Sequence, residues 1–104
     1  MEGEARIEVM KGRSLYTFIF EFEGGTYVSQ VEAQHPKKAT RQWAAQLEIQ
    51  QIPNFTQVMK ENLKKSVEHE DATPVEGVTN VWFLVLRPSK DTFCQVNIVK
   101  TDDA

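Results

Sequence analysis

Between Leu15 and Ala33 the large side chains fall on every second position: Tyr16, Phe18, Phe20 and Phe22 alternate with Leu15, Thr17, Ile19 and Glu21. That is the period of a strand, whose successive side chains point to opposite faces. Gly24-Gly25 supplies the two permissive backbone positions that a tight hairpin needs. With those glycines as the loop, Phe22 faces Tyr27, Phe20 faces Ser29, Phe18 faces Val31 and Tyr16 faces Ala33. The aromatic residues of the first strand then share one face, and a slip of one residue would scramble that separation. The opposite face is mixed, with Glu21 against Val28, Ile19 against Gln30 and Thr17 against Glu32. Ahead of the hairpin, Arg6 to Met10 alternates weakly and Lys11-Gly12-Arg13-Ser14 has the composition of a turn, which predicts a short preceding strand.

The spacing then changes to that of helices. Pro36 suits a first helical position, and Ala39, Trp43 and Leu47 recur every four residues with Ala44 beside them. Gln42, Gln46 and Gln50 form a second, polar stripe, and Pro53 ends this helix near Ile52 because proline lacks the donor the next turn would use. A second helix is expected from about Asn54 to Glu68, with Phe55, Val58, Met59, Leu63 and Val67 on one side. His69 to Val78 contains Asp71, Pro74 and Gly77 and reads as a loop.

A second hairpin closes the chain. Val81, Phe83 and Val85 alternate with Trp82, Leu84 and Leu86, and Pro88-Ser89-Lys90-Asp91 has the composition of a four-residue turn. Pairing Arg87 with Thr92 sets Val85 opposite Cys94, Phe83 opposite Val96 and Val81 opposite Ile98, a wholly apolar face suited to the core. The other face pairs Leu86 with Phe93, Leu84 with Gln95 and Trp82 with Asn97. Thr101 to Ala104 is expected to be a frayed tail. The architecture implied is one α+β domain over residues 1–104, β-β-β-α-α-β-β, with a mostly antiparallel sheet built from two hairpins and two helices packed on one face. The order of the strands is left open.

Over about Arg6–Leu47, the succession of strands, glycine turn, strand and alanine-bearing helix resembles the antitoxin domain of HicB type. The likeness is one of topology over less than half the chain. The Pro-Gly of that family's turn is here Gly24-Gly25, and no functional residue is carried over from it.

Composition narrows the classes. A chain of 104 residues with 40% hydrophobic and 26% charged residues can form one ordinary core. The single cysteine cannot make an internal disulfide, and Met1-Glu2-Gly3-Glu4 is acidic where a signal peptide is basic and then apolar. The longest apolar run, Val81 to Leu86, is too short to cross a bilayer. A cytoplasmic protein without membrane association is therefore expected. The net charge of −3 argues against sequence-independent nucleic-acid binding, although residues 34–70 carry six bases and four acids.

Candidate chemistry is sparse. Cys94 falls on the core face and reads as an inert buried thiol rather than a nucleophile. His35 and His69 have no companions at ligand spacing, so no metal and no cofactor is expected. Gly24-Gly25 joins two strands and lacks the lysine and helix start of a phosphate loop. Lys37, Lys38 and Arg41 cluster in the first turns of a helix, the end where the macrodipole disfavours cations unless an acidic group is near. The second apolar set, Trp82, Leu84, Leu86 and Phe93, extended by Ile19, Val28 and Leu15, implies either burial on both sides of the sheet or an exposed interaction patch. The leading expectation is a small non-catalytic protein-binding or regulatory module of adaptor, inhibitor, antitoxin or immunity type. It would meet another protein or a second copy of itself through Trp82, Leu84, Leu86 and Phe93. The alternative is a nucleic-acid binder acting through Lys37, Lys38 and Arg41, and a small enzyme without a recognisable motif comes third.

Overall fold

The computed structural model describes residues 12–101. Strands β1 (Ser14–Phe22) and β2 (Gly25–Ala33) form an antiparallel hairpin whose loop is Glu23-Gly24 rather than Gly24-Gly25. Both loop residues have positive φ, 47° and 82°, as a two-residue type I′ turn requires. Phe22 therefore pairs with Gly25, Phe20 with Tyr27, Phe18 with Ser29 and Tyr16 with Val31, so the expected register is corrected by two positions on β2. A shift of two leaves every side chain on its face, and Tyr16, Phe18, Phe20 and Phe22 are all buried together. Gly25 has a different task from the one expected. A Cβ there would stand 2.5 Å from the Tyr27 hydroxyl, so any other residue would have to displace the tyrosine ring from where it lies.

Helix α1 (Pro36–Gln46) begins where expected, with His35 as its cap: the His35 Nδ1 accepts the Lys38 backbone N–H at 3.2 Å. It ends earlier than expected. Leu47 is already extended, a single 3-10 turn covers Ile49–Gln51, and Asn54 takes a left-handed φ of 68°. Leu47, Ile52 and Phe55 are buried, so apolar anchors as well as the hydrogen bonds of the 3-10 turn hold this connection. Helix α2 (Gln57–His69) starts at a Thr56 cap, whose Oγ1 accepts the Met59 N–H at 3.1 Å. His69 is its last residue and not part of a loop. Leu63 and Val67 are buried, whereas Val58, expected on the same side, is exposed.

The two helices lie antiparallel and cap each other's carboxyl ends. The Lys37 Nζ donates to the Glu70 carbonyl at 2.8 Å and the Glu68 carbonyl at 3.3 Å, at the end of α2. The Lys60 Nζ donates to the Leu47 carbonyl at 2.8 Å, at the end of α1. A lysine in the first turn of α1 thus serves the negative end of α2.

After a two-residue strand β3 (Thr73–Pro74), in what was expected to be a loop, strands β4 (Val81–Ser89) and β5 (Thr92–Lys100) form the second hairpin. Its loop is Lys90-Asp91, since Ser89 pairs with Thr92. A bulge between Leu86 and Ser89 then absorbs one residue, and Leu86 pairs with Cys94, Leu84 with Val96 and Trp82 with Ile98. Relative to the expected register this is a shift of one, and it turns β4 over. Leu84 and Leu86 join Cys94, Val96 and Ile98 in the core, while Phe83 and Val85 face outward. The cause lies at Pro88, which is fully buried and whose carbonyl accepts the Asn62 side chain of α2 at 3.0 Å.

All strand pairs are antiparallel, in the order β2-β1-β5-β4-β3. The helices cover one face, where Phe18 stacks on Trp43 and Phe20 and Phe22 meet Phe55 edge-on. This is the α+β architecture that the patterning implied. Thr101 is tied down by its N–H to the Leu15 carbonyl at 2.8 Å, contrary to the frayed tail expected there. The rest of that tail and the strand expected at Arg6–Met10 lie outside the described residues. Among the described residues no helix is long and apolar enough to cross a membrane.

Candidate functional site

The face of the sheet opposite the helices divides into two halves. Over β1 and β2, polar side chains bond to one another: Thr26 Oγ1 to the Glu21 carboxylate at 3.1 Å, Gln30 Nε2 to Thr17 Oγ1 at 3.0 Å, and Thr17 Oγ1 with Thr101 Oγ1 at 2.9 Å. Over β4 and β5 the same face is largely apolar. Phe93 is 60% exposed, Val85 47% and Phe83 36%, with half-buried Val81 and Val99 behind them. Phe93 and Val85 flank a shallow depression of about 290 Å³ that Glu21 and Gln95 also line. The Arg87 guanidinium lies 4.5 Å from the Phe93 ring centroid, a cation–π contact at the rim of the patch.

Of the residues expected to form a contact surface, Phe93 is on this face, and Ile19, Val28 and Leu15 share it. Leu84 and Leu86 are not, because the bulge buries them. Trp82 is half-buried on the helix side, tilted against Tyr16 with centroids 6.1 Å apart, and lines a cavity of about 200 Å³ with Pro36, Lys37, Thr40 and Asp71. Phe83 and Val85 take the outward places instead. The signal that could have found them is Pro88, which removes a ladder donor near the end of the strand and makes a bulge there a natural outcome.

The basic set is brought together but not left open. Lys37 pairs with Asp71 at 3.0 Å, and the Arg41 Nε with Glu68 at 3.1 Å, while Lys38 is exposed. Cys94 is buried, and burial pushes its thiol up to about 12, with a backbone hydrogen bond at Leu86 opposing the shift. The thiolate needed for nucleophilic work is thereby disfavoured. Among the described residues no group of three or more His, Cys, Asp or Glu side chains is placed to hold a metal ion.

One further cavity, of about 330 Å³, opens beside the β2 edge. Tyr27, Ser29, Trp43, Leu47 and Ile52 line it, with Gln46, Glu48 and Gln51 also on its wall. The Trp43 indole N–H is buried there without an acceptor among the described residues. No protein-family model, curated protein or solved structure matches the chain. The likeness of Arg6–Leu47 to HicB-type antitoxin domains gains no support from these comparisons, and its first strand lies outside the described residues.

Proposed function

We propose that the domain is a non-catalytic protein-binding module whose contact surface is the β4–β5 half of the open sheet face, centred on Phe83, Val85 and Phe93. The observation that supports this reading is the exposure of those three side chains on the same face of β4 and β5. Grouped aromatic and aliphatic residues left in water mark interaction sites, and a central aromatic commonly contributes ~2 kcal/mol or more to binding. Arg87 at the rim supplies a polar border suited to such a patch. The nucleic-acid reading is weaker because Lys37 and Arg41 already neutralise Asp71 and Glu68. A cytoplasmic setting goes with this reading, in keeping with a single buried thiol.

The test is a comparison of variants on a partner captured from the native cell. Phe93→Asp and Val85→Asp should each weaken capture at least ~30-fold while leaving the unfolding midpoint near wild type. Replacing Lys37, Lys38 and Arg41 by Ala should have little effect on it. If capture survives both open-face variants, or depends on the basic set with a steep salt dependence, the reading is wrong.

A further inference from the structure

The sheet ends differently on its two sides. At one end β3 covers β4 beside Trp82 and Phe83, Pro74 in β3 lacks a donor, and the bulge at Pro88 breaks the remaining edge. At the other end β2, the outermost strand among the described residues, is nine residues long and unbroken, and it contains no proline, lysine or arginine. Its backbone groups can be assigned by alternation. The Thr101 N–H bonds the Leu15 carbonyl, so Leu15, Thr17, Ile19 and Glu21 turn their backbone groups to β5, and Tyr16, Phe18 and Phe20 turn theirs to β2. Their partners Val31, Ser29 and Tyr27 therefore bond inward. Thr26, Val28 and Gln30 hold N–H and C=O away from the sheet.

We propose that this edge pairs antiparallel with β2 of a second copy, with Val28 on the two-fold axis, joining two sheets into one. In that register Val28 faces Val28 of the partner subunit, and Thr26 faces Gln30 of the partner subunit. Each pair exchanges both of its outward hydrogen bonds. A slip of one residue would set inward-bonded groups at the seam, so even shifts alone are allowed. On the helix-covered side Tyr27 comes beside Ser29 of the partner subunit, at the mouth of the cavity next to Trp43.

Self-complementarity favours a second copy as the occupant, and charge at the seam does not oppose it. The chain carries a net charge of −3, so two copies repel in most approaches, but no charged side chain lies from Thr26 to Gln30. The segment is self-complementary under a two-fold, as an isologous contact must be. Val28, 63% exposed as a monomer, becomes the central apolar pair. The inference is independent of the Phe93 surface, which lies on β5 and β4 and is separated from β2 by β1. Pairing would place two such patches on one side of the joined sheet.

Val28→Pro is the decisive variant. The Val28 N–H makes no bond to β1, so proline removes an outward donor and leaves the internal ladder whole. In sedimentation velocity, wild-type protein at about 100 μM should be dimeric, and Val28→Pro should be monomeric with an unchanged circular dichroism spectrum. Val28→Lys sets like charges against each other on the axis and should also be monomeric, which keeps the test sharp if the proline variant folds poorly. Phe93→Asp should remain dimeric. The proposal is overturned by a wild-type monomer throughout this range, by a dimer that survives both Val28 variants, or by a dimer lost on Phe93→Asp.

Discussion

Strands β1 and β4 are each nine residues long and each runs into a two-residue loop, but they select their buried faces by different means. In β1 aromatic residues occupy one face while Thr17, Ile19 and Glu21 occupy the other, so burying the wrong face would strand a carboxylate in the core and four aromatic rings in water. In β4 every position from Val81 to Leu86 is apolar, and side-chain chemistry expresses almost no preference. There the choice is made outside the run, by the bulge at Pro88 and the Asn62 contact that holds it. The consequence reaches function. Whichever apolar set β4 turns away from the helices becomes a surface patch, so the bulge that buries Leu84 and Leu86 also exposes Phe83 and Val85.

That contrast can be broken by truncating neighbours on β4. Leu84→Ala empties a fully packed site and should lower stability by ~2–5 kcal/mol, whereas Val85→Ala on the open face should change it by no more than ~1 kcal/mol. Chemical denaturation at low protein concentration reads both. A larger loss at Val85 than at Leu84 would mean that β4 lies the other way up and that the bulge does not operate.

How far each hairpin can be read from residues alone follows from the same contrast. The β1 face is legible because its alternation survives any even slip: the loop moved from Gly24-Gly25 to Glu23-Gly24, and Phe18 and Phe20 stayed in the core. The β4 face is not, because two readings of Pro88 to Asp91, as a four-residue turn or as a bulge plus a two-residue loop, differ by one residue. The helices show a similar division. The Ala39, Trp43, Ala44 stripe is plain in the spacing, but the early end of α1 depends on Leu47 and Ile52 finding tertiary anchorage. The pairing of Lys37 and Arg41 with the end of α2 is likewise invisible without knowing that the helices run antiparallel.

Cys94 sharpens the comparison from the β5 side, because the faces of β5 are the same in either register of its neighbour. The thiol should react slowly with a thiol reagent in the native state and quickly once unfolded. Burial raises its pKa from 9.0 to about 12. The folded state therefore holds its proton where the unfolded chain has lost it. The associated stability is intact below pH 9 and is lost as pH rises toward 12, by up to ~1.4 kcal/mol per pH unit. The difference between wild type and Cys94→Ala across that window isolates the effect. Fast labelling of native protein at pH 8, or a difference curve that stays flat, would show that Cys94 is not in the core.

The smallest expected effect tests the β1–β2 loop, where a register error of two leaves the buried face unchanged and so escapes every core substitution. Glu23 sits at φ 47°, in the left-handed region, and its carboxylate accepts the Asn54 side-chain N–H at 3.1 Å. Asn-Gly is the preferred pair for a type I′ turn, because asparagine tolerates positive φ better than glutamate does. Glu23→Asn should therefore raise stability by up to ~1 kcal/mol, reduced by whatever the lost contact with Asn54 contributed. If Gly24-Gly25 formed the loop instead, residue 23 would be an extended strand position, where asparagine is disfavoured, and the same change would lower stability. The sign of a shift of a few degrees in the melting temperature thus distinguishes two registers that bury identical residues.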